Sequence, residues 1–250
     1  MADARVDALR SSVARLHGLA VDMSDADLTH QAFPTEWTIA DVLSHLGSGA
    51  VITQRRLEDA LVGTDTPDDF APGVWDTWNA KDAVAKRDDA LAADAELLAR
   101  IDAVTSDERA VFSFSMGPMS LGFDQFVAMR LNEHALHTWD IEIVRDPTAI
   151  IPDSVAELVV DNLDLVARFT AKPTGDTISV TVHTSGAERT FAVELTPETV
   201  TFGPSTATAD VELPAEAFAR LVYGRLDPAH TPPGVESTAV ALLRRVFPGP

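Results

Sequence analysis

Near residue 170 the repeat of apolar side chains shortens from about 3.6 residues to 2, so the two halves cannot belong to one kind of layer. Upstream the chain must pack helices, and downstream it must pair strands. The first helical stripe is Val6, Leu9, Val13 and Leu16. A second helix opens at Thr38, which forms a capping-box signature with Asp41 three residues on. Its stripe continues through Ile39, Val42, Leu43, Leu46 and Ala50. Residues 63–77 (GTDTPDDFAPGVWDT) are rich in Gly, Pro and Asp and predict a loop long enough to wall a site. A third helix is predicted from roughly Trp78 to Val104, with Val84, Leu91, Leu97, Leu98 and Ile101 as core positions. Phe112 to Pro118 predicts a further loop, after which Ser120 caps a fourth helix reaching about Val144. Four long helices with short or structured connections predict an antiparallel four-helix bundle.

The segment Pro147 to Pro152 marks the expected domain boundary, giving one domain over 1–147 and another over 152–250. A helix over roughly Ser154 to Phe169 leads into alternating strands. These are Ile178, Val180, Val182; then, after a Ser185-Gly186 turn, Phe191, Val193, Leu195; then Val200 with Phe202; and Ala209, Val211, Leu213. Pro214 starts a helix that Gly224 ends, and a last helix carries Val240, Leu242, Leu243 and Val246 before a Pro-Gly-Pro tail. The fold class expected is α+β in two domains, the second being small with an antiparallel sheet.

A net charge of −20 spread along the chain argues against binding a phosphate backbone and therefore against a nucleic-acid partner. No apolar run is long enough for a membrane span, and the opening MADARVDALR has no signal-like hydrophobic stretch, so a cytoplasmic protein is expected, monomeric or a small homo-oligomer. There is no cysteine, which excludes disulfides, Cys-ligated zinc and an internal thiol nucleophile. Any thiol chemistry must use a thiol from outside.

Glu133 and His137 stand four residues apart in the fourth helix, so their side chains share one face. Such pairs also occur on solvated helices. Here the helix is otherwise apolar (Phe126, Val127, Leu131, Leu136, Ile141, Ile143), and buried polar groups need partners. His45, beside the stripe of the second helix, completes a set of two imidazoles and a carboxylate suited to Zn²⁺ or a similar divalent ion with a fourth position open. Arg130 and Asp140 extend the same face by a turn each way and are expected to hydrogen-bond the ligands. His134 lies about 100° round the helix from Glu133 and is expected to be structural or on the surface. His17, His30, His183 and His230 are isolated and carry no site expectation. Trp37 reads as a staple ahead of its helix, while Trp75 in the expected loop is the tryptophan placed to line a pocket. Arg225 is either a surface charge or an anion-binding residue reaching across from the second domain.

The segments WTIADVLSHL and GPMSLGFDQFVAMRLNEHALHTWDI resemble the two metal-ligand motifs of DinB-like helical bundles, the second carrying Arg130, Glu133, His137 and Asp140 as Arg-x-x-Glu-x-x-x-His-x-x-Asp. Within that superfamily the chain is similar to the mycothiol-dependent maleylpyruvate isomerase family, whose members join such a bundle to a sterol-carrier-like domain. The resemblance implies zinc on His45, Glu133 and His137, mycothiol as thiol cosubstrate, a small electrophilic second substrate, and an arginine from the second domain, placed here at Arg225. It implies addition of a thiolate to the electrophile, ending in cis–trans isomerisation or in S-transfer. Two alternatives stay open: a metal-dependent hydrolase with Asp140 as base, and a non-catalytic protein that binds metal and an apolar ligand.

Overall fold

The computed structural model describes residues 4–249. Residues 1–3 and Pro250 lie outside these, and with them the outer limits of the two expected domains and the last residue of the Pro-Gly-Pro tail. The chain divides into two units, Met1–Asp146 and Pro147–Pro250.

The first unit is helical: α1 (Ala4–Ala20), α2 (Asp25–Leu28), α3 (Ile39–Leu61), α4 (Phe70–Asn79), α5 (Ala83–Asp102), α6 (Ser106–Val111), a hairpin of β1 (Phe114–Met116) and β2 (Met119–Leu121), and α7 (Phe123–Glu142). Helix α3 packs on α5 and α7, and α1 packs on α7 and α5. Leu9, Leu16, Leu43, Leu46, Leu57, Leu97, Ile101 and Leu131 are all at most 1 % exposed and form the shared core. Each such side chain contributes about 1.5–3 kcal/mol on burial. The start of α3 is fixed reciprocally: Asp41 N donates to Thr38 Oγ1 at 3.2 Å, and Thr38 N donates to Asp41 Oδ2 at 3.0 Å. Lys86 Nζ on α5 donates to the other oxygen of Asp41 at 2.8 Å, tying that cap to the neighbouring helix.

Residues 70–77, expected as part of a loop, belong to helix α4. Pro72 falls in the first turn, where its missing N–H leaves no helical bond unmade, and Trp78 buries at the far end. Trp78, expected to open the third helix, lies instead in the last turn of α4, and α5 begins only at Ala83, capped by Asp82, which accepts from Ala85 N at 2.8 Å. Val84, expected in the core, is 37 % exposed. Part of the loop expected over 112–118 is strand β1, and Ser120 lies in β2; α7 is entered through Gly122, whose N–H donates to Gln125 Oε1 at 3.2 Å.

The second unit comprises α8 (Asp153–Val160), α9 (Leu163–Thr170), β3 (Ile178–Ser185), β4 (Arg189–Leu195), β5 (Val200–Pro204), β6 (Val211–Pro214), α10 (Ala215–Val222), a 3-10 turn at Pro228–His230 and α11 (Thr238–Val246). The helix expected over 154–169 is two helices, broken at Asp161 and Asn162. Alternation sets the sheet register: Val180 pairs with Val193 and Val182 with Phe191, all buried on both strands. The sheet order is β5-β4-β3-β6, and β6 runs parallel to β3, so the sheet is mixed and not wholly antiparallel. A hairpin from β5 would have placed β6 beside it; the chain instead crosses to the opposite edge. Ala209 precedes β6 and is not part of it. Helix α10 is buried along its whole length, and Phe218 stacks near Phe191 and Phe202 at 5.4 and 6.0 Å. Gly224, at φ +70°, ends the chain's run out of α10 as expected. Among the described residues no helix is long and apolar enough to cross a membrane.

Candidate metal centre

Helix α3 delivers His45 two turns from its capped start, and α7 delivers Glu133 and His137 from its middle. His45 Nε2 lies 3.3 Å from Glu133 Oε2, and His137 Nε2 lies 3.7 Å from the same oxygen. The two imidazole centroids are 4.5 Å apart. Among the described residues these three form the one group whose ligand atoms converge in this way, all within 4.8 Å of each other. Zinc–ligand bonds of about 2.0–2.2 Å at tetrahedral angles place donor atoms roughly 3.3–3.5 Å apart, so the spacing and the N,N,O donor set both fit a divalent ion.

Electrostatics prepare the donors. Burial lowers the His45 pKa, outweighing the nearby Glu133 carboxylate, and so favours the neutral imidazole that a ligand must be. Burial pushes Glu133 the other way, yet the two imidazoles beside it, His137 and His45, win and hold its carboxyl well below the usual range. Behind His137, Asp140 Oδ2 lies 2.8 Å from Nδ1 and is fully buried.

Arg130 turns elsewhere. Its Nη2 donates to Asp94 Oδ1 at 2.6 Å and to Leu46 O at 2.8 Å, so its bonds go to α5 and to the backbone of α3, not to the three donors. His134 is fully buried, with Nε2 3.1 Å from Asp94 Oδ2 and Nδ1 2.8 Å from Ser12 Oγ. Both ring nitrogens are engaged, which settles it as structural and removes the surface alternative. Arg225 is 5 % exposed, and its Nη1 donates to Tyr223 O at 2.9 Å, so it is not a surface charge.

The tryptophan beside the three converging side chains is Trp37, not Trp75. Trp75 is 49 % exposed on α4 and is absent from the cavity of about 450 Å³ that Val51, Phe70, Val74 and Trp78 line. Trp37, read as a staple, lies with its ring 5.2 Å from His45 and 5.8 Å from His137. Only its place just before the Thr38 cap, with His45 two turns on, hinted at this. Asp94 carried no signal at all, being one acidic residue among several in α5.

Fold and donor set together define an α+β protein of two units whose helical unit carries a candidate site for a divalent metal. The sequence pattern of the mycothiol maleylpyruvate isomerase N-terminal domain matches residues 9–142, more than half of the chain, and the chain belongs to that family. Its fold is similar to the crystal structure of a mycothiol-dependent maleylpyruvate isomerase, with a TM-score of 0.66 and 16 % identity over 94 % of each chain. It is similar also to a mutant of a mycothiol-dependent maleylpyruvate isomerase, with a TM-score of 0.64 and 14 % identity over 88 % of each chain. No curated protein matches the chain.

Proposed function

We propose that this protein is a zinc- and mycothiol-dependent enzyme of the maleylpyruvate isomerase type, acting on a small electrophile with a conjugated cis double bond. The observation that carries the reading is the convergence of His45, Glu133 and His137 within 4.8 Å, in a chain of that family with no cysteine of its own. These three residues would hold the zinc. Bound there, zinc supplies a Lewis acid beside which an incoming thiol loses its proton, the thiolate being the nucleophilic form. The protein's own part is to keep the donors ready: His45 neutral, Glu133 ionised, and His137 held by Asp140 with its proton on Nδ1. Trp37 lies beside the imidazole pair, its ring 5.2 Å from His45 and 5.8 Å from His137. In the reaction class, thiolate sulfur bonds to one olefinic carbon while the double-bond electrons move into the conjugated carbonyl. Rotation follows about the new single bond, and the electrons return to expel the thiolate and leave the trans alkene. A substrate with a leaving group would end instead as an S-conjugate.

Residues 1–147 are proposed as a DinB-like four-helix bundle and residues 152–250 as a sterol-carrier-like domain. Arg225 is proposed as an anion-binding residue of the second unit; Arg225→Lys should then raise KM and leave zinc content unchanged. Hydrolysis with Asp140 as base is disfavoured, because Asp140 is fully buried and bonded to His137. The test is an absorbance assay on a cis-configured unsaturated keto acid with zinc-loaded protein, with and without mycothiol. Turnover that requires the thiol supports the reading, and equal turnover without it overturns the reading.

A further inference from the structure

We propose that Asp94 and Arg130 form a register clamp that positions His45 against Glu133 and His137. This rests on the metal reading above. Arg130 Nη2, on a side chain 4 % exposed, joins Asp94 Oδ1 on α5 to Leu46 O on α3. The second oxygen of Asp94 meets His134 Nε2 at 3.1 Å, and His134 Nδ1 meets Ser12 Oγ on α1 at 2.8 Å. One connected set of buried polar groups thus touches α1, α3, α5 and α7.

Its attachment points bracket the donors. Leu46 follows His45 directly in α3, while Arg130 and His134 stand three residues before and one after Glu133 in α7. A one-residue slip turns a helix by about 100° and would carry His45 away from the other two donors. The clamp closes only where Leu46 O meets Arg130, which is the register that brings the three donors together. Gly49, one turn beyond His45 on the same face, makes room: a Cβ there would lie 2.9 Å from Arg130 Nη1.

A buried ion pair is a weak source of stability, since apolar side chains of similar size often serve as well or better. Its effect here falls on the geometry of the site. Asp94 and Arg130 are positioning residues: they touch none of the three donors and act through the backbone of α3 and the packing of α7.

The test uses the full chain as wild type, as the double variant Asp94→Leu/Arg130→Met, and as Gly49→Ala. Each is measured for zinc affinity by chelator competition, for the visible absorption of bound Co²⁺, and for thermal unfolding without metal. The double variant strands the buried His134 Nε2 and should melt somewhat lower than wild type while staying folded, and it should bind zinc about tenfold or more weakly, with a changed cobalt band. Gly49→Ala, which favours the helix by itself, should show the same loss of affinity without loss of stability. If the double variant does not fold, Gly49→Ala decides. Wild-type affinity and an unchanged cobalt spectrum in a folded variant overturn the clamp while leaving the metal reading intact. A wild type that binds neither metal overturns both.

Discussion

His137 Nδ1 lies 2.8 Å from Asp140 Oδ2, and its Nε2 lies on the opposite side of the ring, 3.7 Å from Glu133 Oε2. A carboxylate only accepts, so the imidazole proton belongs on Nδ1 and the lone pair on Nε2 faces the other donors. A partner of this kind fixes both the tautomer and the rotation of a metal-binding histidine.

Asp140→Asn should therefore weaken zinc binding by about 10–100-fold while the fold is kept. The amide can turn its NH₂ toward Nδ1 and favour the tautomer that protonates Nε2. Competition with a coloured chelator reads the affinity, and a value equal to wild type would remove Asp140 from the site.

Trp37 should report on metal binding. Its ring is 5.2 and 5.8 Å from the two imidazoles, so an ion held between them places a cation close to the indole. Co²⁺ should quench part of the tryptophan emission of the wild type, and Trp37→Phe should abolish most of that quenching. Quenching that survives the substitution would assign it to another of the four tryptophans.

Gly47 is a packing requirement. A Cβ there would lie 2.2 Å from the Trp78 ring and 2.8 Å from Ala90 Cα, which is backbone and cannot swing aside. Alanine would favour helix α3 by about 1 kcal/mol, but overpacking costs about 1–3 kcal/mol and should prevail. Urea unfolding of Gly47→Ala should show a lower midpoint than wild type.

The acid limb of stability should depend on Asp94. Burial raises the pKa of its carboxyl, but the His134 and Arg130 charges outweigh this and hold it below the ordinary carboxylate value. A folded-state pKa below the unfolded one means stability is present above about pH 4 and is lost as pH falls through the folded value. Asp94→Asn should thus be less stable than wild type at pH 7, and the gap should narrow below about pH 4. A gap that stays constant down to pH 2 would show that the Asp94 charge contributes nothing.

Much of this was legible in the chain because it is local. The Thr38–Asp41 box, the four-residue step from Glu133 to His137 and the alternation around Val180 and Val193 each act within one element or one hairpin. What was not legible depends on distant neighbours. Helix α4 hides in a Gly-, Pro- and Asp-rich stretch because composition does not reveal that Trp78 has a slot beside Gly47. The parallel pairing of β6 with β3 depends on strand order, which no local pattern encodes. Arg130 shares a face with Glu133, as its spacing predicts, but its bonds follow Asp94, whose importance only tertiary packing discloses.

The most direct measurement is the zinc content of the purified full chain, compared with Glu133→Ala and His137→Ala under zinc supply. We expect about one zinc per chain in the wild type and its loss in both variants, with helical content unchanged. A folded wild type that holds no zinc, or variants that hold as much as the wild type, would contradict the account.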